Sequence, residues 1–380
     1  MKDQLSSKER LMITIAGGKA DHVPAIPDFS NMIPAQMTGK PFWEIYMNGN
    51  PDLYHAYCKA AKYYGIDGWY QASGSVKFKL KNYPEMSRTV TERSADRITE
   101  KFIFKTPAGD LWEERTYPIA DPPTKTVKMV KNIEEDFPKI KYLFGDIESY
   151  DASLVPEYRS LCGDDGIFCL QTGYPGMQSW LGYFNGNLAS TIYAYYDHPE
   201  IFEEWAELEQ KHFLRQTEIN LSLKPDVLLL GGSGTLTLSS PELVQKFAIP
   251  TITKICKMAK EAGILTMLHS CGKSMAFLEM LSKTDLNCIN PLEEPPMGDV
   301  NLAQVKKLYG KKMSLMGNLQ TTAVMLKGST ADVERAAKKA IDDAGKDGGF
   351  LLSTGDQCGR DTPPENIFKL VETAKTYGRY

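Results

Sequence analysis

Residues 241–272 read PELVQKFAIPTITKICKMAKEAGILTMLHSCG, a helical stretch followed at once by a short apolar run. Apolar residues recur at helical spacing from Pro241 to Glu261, and the run from Ile264 to His269 has the length and composition of a buried strand. A helix joined in this way to a strand is the repeating unit of α/β folds. We therefore expect further copies of this unit along the chain.

The same alternation runs along the whole sequence. Strands are predicted at Val23 to Pro27, Ile66 to Tyr70, Gly166 to Gln171, Pro225 to Gly231, Ile264 to His269, Asp285 to Asn290, Lys312 to Gly317 and Gly349 to Ser353. Helices are predicted at Ser6 to Ala16, Asp52 to Tyr64, Ala189 to Leu221, Pro241 to Glu261, Lys273 to Ser282, Leu302 to Leu308, Ala331 to Ala344 and Pro364 to Tyr377. Eight strands, nearly all followed by a helix, predict an α/β (β/α)₈ TIM barrel.

We expect residues 1–380 to form a single barrel domain with a helical extension at residues 1–20. An open doubly wound sheet is the alternative, but no Gly-x-Gly-x-x-Gly follows an early strand. Alternating Thr, Ile and Phe residues around a PAGD turn interrupt the pattern from Arg88 to Val127. This pattern predicts an antiparallel β-hairpin inserted at residues 88–127.

Composition and charge narrow the classes of function. With 44 basic and 48 acidic residues the net charge is −4, so neither nucleic acid nor a membrane surface is an expected partner. The N-terminal residues contain no apolar run long enough for a signal peptide, and we expect a cytoplasmic protein. Seven scattered cysteines do not form a disulfide framework, so a metal or catalytic use is considered. The oligomeric state, including a homodimer, stays open.

Two cysteines and one histidine follow predicted strands. His269 and Cys271 are two positions apart, so in an extended chain both side chains point the same way. Cys358 follows the last predicted strand, and all strands of such a barrel open onto one face. One imidazole and two thiolates suit Zn²⁺ and leave a fourth position for a substrate atom. The plain alternative is that these residues only fill the core.

Three segments carry a resemblance to a known family. They are residues 238–272, the segment MGNLQTTAVMLKGSTADVERA at 316–336, and GGFLLSTGDQCGRDTPPENI at 348–367. They resemble the uroporphyrinogen decarboxylase superfamily of (β/α)₈ barrels, and most closely its zinc-dependent methyltransferases that act with corrinoid proteins. The resemblance is good from about Leu161 onward, loose over the first 80 residues, and absent for the insertion.

The resemblance implies a zinc site, because the His-x-Cys and distant Cys of that branch match His269, Cys271 and Cys358. The decarboxylases of the superfamily bind tetrapyrrole propionates with arginines after the first strand. Here no arginine lies between Asp21 and Lys40, which disfavours such a substrate. No cobalamin-binding Asp-x-His-x-x-Gly is present, so the corrinoid is expected on a separate partner protein.

We therefore expect a methyltransferase that moves a methyl group between a small methylated substrate and the cobalt of that partner. Aromatic residues near the strand ends favour an aromatic methyl ether and O-demethylation: Phe29, Trp69, Tyr70, Tyr174 and Trp180. Three alternatives stay open. They are methyl transfer from methylcobalamin to a thiol of the coenzyme M type, a metal-free lyase of the decarboxylase type, and a non-catalytic barrel that binds a thiol or cofactor.

Polar residues at other strand ends complete the predicted site. Glu293 and Glu294 follow the sixth strand and are candidates for a catalytic acid or a fourth zinc ligand, with only one expected to face the site. Residues in position to contact substrate are Asp28, Asn31, Tyr70, Gln171 and Asn318. Asp356, two residues before Cys358, could orient a ligand or cap a turn. Loop hydrogen bonding explains each of these residues equally well.

Overall fold

The computed structural model describes residues 4–29 and 31–380. Its strands are β1 Gly68–Gln71, β2 Lys77–Leu80, β3 Glu85–Arg93, β4 Arg97–Thr106, β5 Gly109–Pro118, β6 Thr124–Val127, β7 Ile147–Asp151, β8 Gly166–Thr172, β9 Val227–Gly231, β10 Leu265–His269, β11 Cys288–Asn290, β12 Ser314–Leu319 and β13 Phe350–Thr354. Its α-helices are α1 Ser7–Ile15, α2 Met32–Met37, α3 Phe42–Tyr46, α4 Leu53–Tyr64, α5 Ile133–Ile140, α6 Val155–Cys162, α7 Met177–Trp180, α8 Leu188–Asp197, α9 Pro199–Ser222, α10 Pro241–Leu243, α11 Ile249–Glu261, α12 Met275–Leu281, α13 Leu302–Tyr309, α14 Thr330–Ala344 and α15 Pro364–Tyr377.

A parallel sheet forms the centre of the molecule, with strand order β1-β8-β9-β10-β11-β12-β13. Residues 24–26 join its two ends. The Ile26 amide donates to the Leu352 carbonyl of β13 at 2.9 Å, and the Asp67 amide beside β1 donates to the Ala25 carbonyl at 2.8 Å. This short eighth segment closes the sheet into a TIM-like barrel, which confirms the predicted fold class. The carboxyl ends of all strands therefore meet at one mouth.

The opposite, N-terminal end of the barrel is covered by α1. Ser6 and Glu9 form a capping box at its start, which satisfies the first amides of the helix. The Ser314 hydroxyl at the start of β12 donates to the Thr14 carbonyl at 2.8 Å. Arg10, whose side chain is 2% exposed, donates to Asp21 and to Asp67, in each case at 2.7 Å. The helix predicted near the N-terminus thus packs on the barrel.

The insertion is larger than the predicted hairpin. Strands β4 and β5 form that hairpin, with Phe104 paired to Leu111, but β3 and β6 extend it to a four-stranded antiparallel sheet over residues 85–127. Two contacts attach it to the mouth. The Phe42 amide donates to the Ile119 carbonyl, and Arg360 pairs with Asp121 at 3.1 Å. Arg360 belongs to the loop after β13, so the insertion is linked to the mouth.

The connection from β8 to β9 differs from the single helix predicted at Ala189 to Leu221. The chain forms α8, breaks at His198, and continues as α9 from Pro199. Proline has no amide hydrogen and suits the first turn of a helix, so it starts α9 rather than continuing α8. An aromatic cluster that includes Trp180, Phe202 and Trp205 packs this connection against the insertion. Within residues 4–29 and 31–380, no helix is long and apolar enough to cross a membrane.

Candidate metal centre

The end of β10 places the first two predicted ligands at the mouth. His269 is the last residue of β10 and is paired with Gly231 of β9 and Asn290 of β11. The ladder continues one step further, because the Ser270 amide donates to the Asn290 carbonyl at 2.7 Å. This extended backbone keeps His269 and Cys271 on the same side of the strand. Their two side chains are both partly exposed.

An aspartate supplies the third member of the group. Ligand atoms of His269, Cys271 and Asp356 all lie within 4.8 Å of one another. Asp356 follows β13, and the Thr354 hydroxyl donates to the Asp356 carbonyl at 2.7 Å, which bends the chain just beyond the strand. One nitrogen, one sulfur and one carboxylate oxygen therefore converge at the mouth.

Cys358, the predicted third ligand, is not among the three residues whose ligand atoms lie within 4.8 Å of one another, and its role as a ligand stays a prediction. Its side chain is fully buried, and its amide donates to the Asp28 carbonyl at 2.6 Å. Burial, reinforced by the Asp28 carboxylate, raises the pKa of the Cys358 thiol to about 12, although hydroxyls of Thr354 and Thr362 oppose the shift. The charge of Asp356 also raises the pKa of the Cys358 thiol, so this thiol lies within electrostatic reach of the group.

The loop after β9 supports Cys271 on its other side. Ser233 Oγ lies 3.0 Å from Cys271 Sγ. The Thr237 hydroxyl donates to the Cys271 carbonyl at 3.3 Å and accepts from the Lys273 amide at 2.8 Å. Gly272 between them has a φ of +83°, and a Cβ there would lie 2.1 Å from Thr237 Oγ1. This turn therefore requires glycine.

Of the two predicted acids, Glu293 faces the centre and Glu294 does not. Glu293 is 7% exposed, and its carboxylate accepts a hydrogen bond from the Gly272 amide, directly after Cys271. Burial raises the pKa of Glu293, the Gly272 amide opposes this shift, and the charge of Asp356 adds to it. Glu294 is exposed on the loop, so its predicted catalytic role is not supported by its position.

The electrostatics of this cluster favour a bound cation. Burial raises the pKa of the Cys271 thiol, and the nearby charges of Asp356 and Glu293 act in the same direction. Among the ion pairs formed by the described residues, none provides a lysine or arginine to Asp356 or Glu293. Nitrogen, sulfur and oxygen donors in one small group are those that zinc accepts. The residues present thus fit a zinc ion.

The predicted substrate contacts fall into two groups. Gln171 lies near the centre, because a Cβ on Gly231, the partner of His269, would meet its amide nitrogen at 2.1 Å. Asn318 pairs with Ser353 of β13, and the Asp28 carbonyl accepts from the Cys358 amide. Asn31 lines a neighbouring cavity. The prediction that Tyr70 contacts the substrate is wrong, because its side chain is fully buried and packs toward α4.

The position of Tyr70 follows from strand alternation. Its ring contacts those of Tyr54 and Tyr57 on α4, with centroids 6.0 and 5.2 Å away, in the layer between barrel and helices. Trp69 and Gln71, on either side of it in β1, point the other way and line the cavity. The apolar run from Ile66 to Tyr70 gave no sign of which face is inside.

Two supporting residues were missed by sequence reasoning, Ser233 and Thr237. Residues 231–234 read GGSG, and this segment follows β9. Its position directly after a barrel strand was the available signal, because loops that follow barrel strands build the site.

Comparisons with known proteins identify relatives. Residues 185–377 match the family described as uroporphyrinogen decarboxylase (URO-D). The methylcobamide:CoM methyltransferase MtbA of Methanosarcina mazei is 29% identical over 153 residues, which cover 40% of this chain and 42% of the relative. The methylated-thiol–coenzyme M methyltransferase of the same organism is 24% identical over 39% of this chain and 37% of its own. These matches span less than half of each relative.

A solved structure supports the fold. The structure described as a methyltransferase from Methanosarcina mazei superposes with a TM-score of 0.64 at 15% identity, and the alignment covers 98% of this chain and 99% of that chain. At this identity the likeness concerns the fold alone. It extends across the whole barrel, including the first segment and the insertion region that sequence resemblance did not reach.

Proposed function

This chain belongs to the uroporphyrinogen decarboxylase (URO-D) family, and we propose that it is a zinc-dependent methyltransferase that acts with a separate corrinoid protein. One observation carries the proposal: His269, Cys271 and Asp356 present three different zinc donors within 4.8 Å of one another at the barrel mouth. The names of the relatives, which are corrinoid-linked methyltransferases, support the same reaction class.

We propose that His269, Cys271 and Asp356 hold the zinc ion, which leaves a position for a substrate heteroatom. When bound, zinc would act as a Lewis acid that stabilises negative charge on that heteroatom. Glu293 accepts from the Gly272 amide and so fixes the turn that carries Cys271. Ser233 restrains the sulfur from the other side. Both are positioning residues, of the kind that tune a metal site.

The substrate class that we favour is a small aromatic methyl ether. In its demethylation the bond between methyl carbon and oxygen breaks, the oxygen keeps the electron pair, and the methyl group passes to the reduced cobalt of the partner. Gln171, which packs on Gly231 beside His269, offers an amide group that can orient the substrate.

The second candidate is methyl transfer from a methylated corrinoid to a thiol. The relatives named methylcobamide:CoM methyltransferases favour it. The same zinc donors suit it, because a metal lowers the pKa of a bound thiol and presents a thiolate.

Methyl transfer assays separate these candidates. The zinc-loaded chain is mixed with a reduced corrinoid protein and, in separate arms, with 2-methoxyphenol, methanol, methylamines or methylated thiols. Methylation of the corrinoid is followed by its absorption spectrum. We expect the methyl ether to react, and the reaction to be lost in Cys271→Ser but kept in the buried control Cys256→Ser. Transfer only from methylated corrinoid to a thiol would select the second candidate.

Two further outcomes would contradict the proposal. Full methyl-transfer activity of a protein that holds no zinc would exclude the metal role, whereas a protein with neither zinc nor methyl transfer would favour a metal-free lyase. Stoichiometric zinc without methyl transfer in any arm or direction would favour a non-catalytic thiol-binding or cofactor-binding barrel.

A further inference from the structure

The inner face of the barrel wall can be followed from strand to strand by register. Tyr70 packs outward on α4, so the next residue of β1, Gln71, points inward. Paired residues of neighbouring strands share a face, and the inward set continues through β8, β9 and β10 as Cys169, Gln171, Leu229, Gly231 and His269. Gln171 and His269 therefore line the same inner wall.

Gln171 occupies the space directly beside His269. Gly231 is the partner of His269 in β9, and a Cβ there would lie 2.1 Å from Gln171 Nε2. The amide thus takes the place of the missing side chain, one strand spacing of about 4.8 Å from the backbone of His269. Gln171 is partly exposed, and its side-chain amide bonds to none of the described residues and is not shut off from solvent. It is available to a ligand at the metal group.

The floor of this space is uncharged. Asn290, the other partner of His269, lies with its side-chain nitrogen 3.8 Å from Met267 Sδ and 3.4 Å from Met316 Sδ. Two sulfurs thus cover this amide. Asn318 follows Met316 by two positions in β12, so it points inward one level closer to the mouth.

Asn318 provides a second available amide beside the acidic residues. A Cβ on Gly355, the residue before Asp356, would lie 3.3 Å from Glu293 Cγ and 3.5 Å from the Asn318 carbonyl oxygen. Gly355 therefore packs against both Glu293 and Asn318. Within the described part of the chain, the side-chain amide of Asn318 has no partner, and it is not shut off from solvent. Amides thus approach the metal group from two sides.

The charged side chains closest to the metal group are acidic. The two positive charges of a zinc ion would be balanced by the Cys271 thiolate and Asp356. Glu293, whose carboxylate accepts from the Gly272 amide, adds a further acidic group. An anionic substituent on the substrate would therefore bring additional negative charge into a space that already holds enough to neutralise the metal.

The basic residues of the mouth loops do not compensate for this charge. Between β8 to β13 and the helices that follow them, these residues are Lys273, Lys327 and Arg360. Arg360 pairs with Asp121 of the insertion at 3.1 Å and with Asp361 at 3.2 Å. Lys273 and Lys327 are exposed, where water and salt screen their charges. The inner wall therefore presents amides rather than cations to a substrate.

We propose that the substrate carries no negative charge near its reacting heteroatom, and that Gln171 and Asn318 select for an uncharged polar group there. A carboxamide can both donate to and accept from a neutral oxygen. A sulfonate or carboxylate in the same place would lose hydration without a cationic partner. This inference rests on the proposed function, because it narrows the substrate to uncharged methyl ethers and, for the second candidate, to uncharged thiols.

Two thiols that differ only at their far end test the proposal on the zinc-loaded full-length chain. 2-Mercaptoethanol and 2-mercaptoethanesulfonate, which is coenzyme M, share a two-carbon chain, so a thiol bound at the metal brings its second group to the inner wall. Titration calorimetry should show 2-mercaptoethanol binding about tenfold more tightly. Equal affinities or tighter binding of the sulfonate would overturn the proposal and leave methyl transfer itself intact. Binding of neither thiol would also overturn it, and the methyl transfer assays above judge the proposed function separately.

A substitution tests whether Gln171 is the selecting residue. Gln171→Lys places a cation beside His269 and should raise the affinity for the sulfonate, relative to that for 2-mercaptoethanol, about tenfold. Gln4→Lys makes the same change at an exposed residue before α1, at the opposite end of the barrel, and should leave the ratio unchanged. An unchanged ratio in folded, zinc-binding Gln171→Lys contradicts the role of Gln171.

A second variant examines the basic residue nearest to Cys271 in the sequence. Lys273→Met should leave the affinities for both thiols unchanged, because this side chain is exposed. A selective loss of sulfonate binding in Lys273→Met would show that the mouth holds an anion through this lysine, and would overturn the proposal. If Gln171→Lys does not fold or does not bind zinc, the two thiols on the unaltered protein and on Lys273→Met still decide.

Discussion

Two groups of acidic side chains lie at opposite ends of the barrel, and they differ in what neutralises them. At the N-terminal end Arg10 donates to both Asp21 and Asp67 at 2.7 Å. At the mouth Asp356 and Glu293 lie near Cys271, and none of the described ion pairs gives either of them a basic partner. The first group is a closed ion network. We propose that a cation neutralises the second.

The pKa values of the acidic residues shift in opposite directions at the two ends of the barrel. Burial tends to raise the pKa of Asp21, but the hydrogen bonds and charge of Arg10 outweigh it and hold that pKa well below its usual range. At the mouth burial raises the pKa of Glu293, and Asp356 adds to the shift. In (β/α)₈ barrels, residues at the N-terminal face contribute mainly to stability, and residues at the C-terminal face carry the chemistry. Substitutions at the two ends should therefore have different consequences.

The largest effect is expected at the closed network. Arg10→Met leaves Asp21 and Asp67 buried without their counter-ion, and should lower the free energy of unfolding by about 3–5 kcal/mol. Urea denaturation followed by circular dichroism measures this change. Zinc content per folded chain should stay the same, because α1 covers the far end of the barrel. Loss of zinc from folded Arg10→Met would show that the two ends are not independent.

At the mouth, the sharpest contrast is between two residues of one loop. Asp356→Asn removes a charged ligand, and we expect zinc affinity to fall about 100-fold with little change in unfolding free energy. Cys358→Ser should leave zinc affinity unchanged, because that thiol is buried beside Thr354 and Thr362. Chelator competition measures both. The reverse pattern would restore Cys358 as the ligand.

A smaller loss is expected from the residue that holds the Cys271 turn. Glu293→Ala removes the acceptor of the Gly272 amide and should weaken zinc binding roughly 10-fold, at the low end for groups that orient metal ligands. Glu293→Gln keeps a side-chain acceptor and should recover part of this loss. Glu294→Ala, one residue away and exposed, is the control with no expected change. Equal losses from the Glu293 and Glu294 variants would disprove the assignment.

A change of similar size is expected from pH. The pKa of the Cys271 thiol is raised mainly by burial, so near neutrality the thiol is protonated when no metal is bound. Zinc binding must release that proton, and zinc affinity should therefore rise about tenfold for each unit of pH between 6.5 and 7.5. Cys271→Ser should remove most of this dependence. A pH-independent affinity in the unaltered protein would show that Cys271 is not a ligand.

Much of the fold could be predicted because the barrel strands are apolar runs bounded by polar loops. The first segment is the exception, since only residues 24–26 join the ladder. The hairpin of β4 and β5 was predicted from alternation. Most of β3 falls within the predicted range of residues 88–127, but it was not recognised as a separate strand, because all of its residues are exposed and carry no apolar pattern.

The site could be predicted only where regular backbone continued. His269 and Cys271 are joined by extended chain, so the two-residue spacing rule held. Asp356 and Cys358 lie beyond the end of β13, where the Thr354 hydroxyl bonds to the Asp356 carbonyl and bends the chain. A hydrogen bond of this kind leaves no periodic trace in a sequence. The resemblance to the family suggested Cys358, whereas the structure brings Asp356 to His269 and Cys271.

The coordination of zinc tests the central claim most directly. The zinc K-edge X-ray absorption of the metal-loaded chain distinguishes sulfur at about 2.3 Å from nitrogen or oxygen at about 2.0–2.2 Å. With His269, Cys271 and Asp356 as ligands, the spectrum should require one sulfur, and Cys358→Ser should not change it. Two sulfurs in the unaltered chain, reduced to one in Cys358→Ser, would contradict the account.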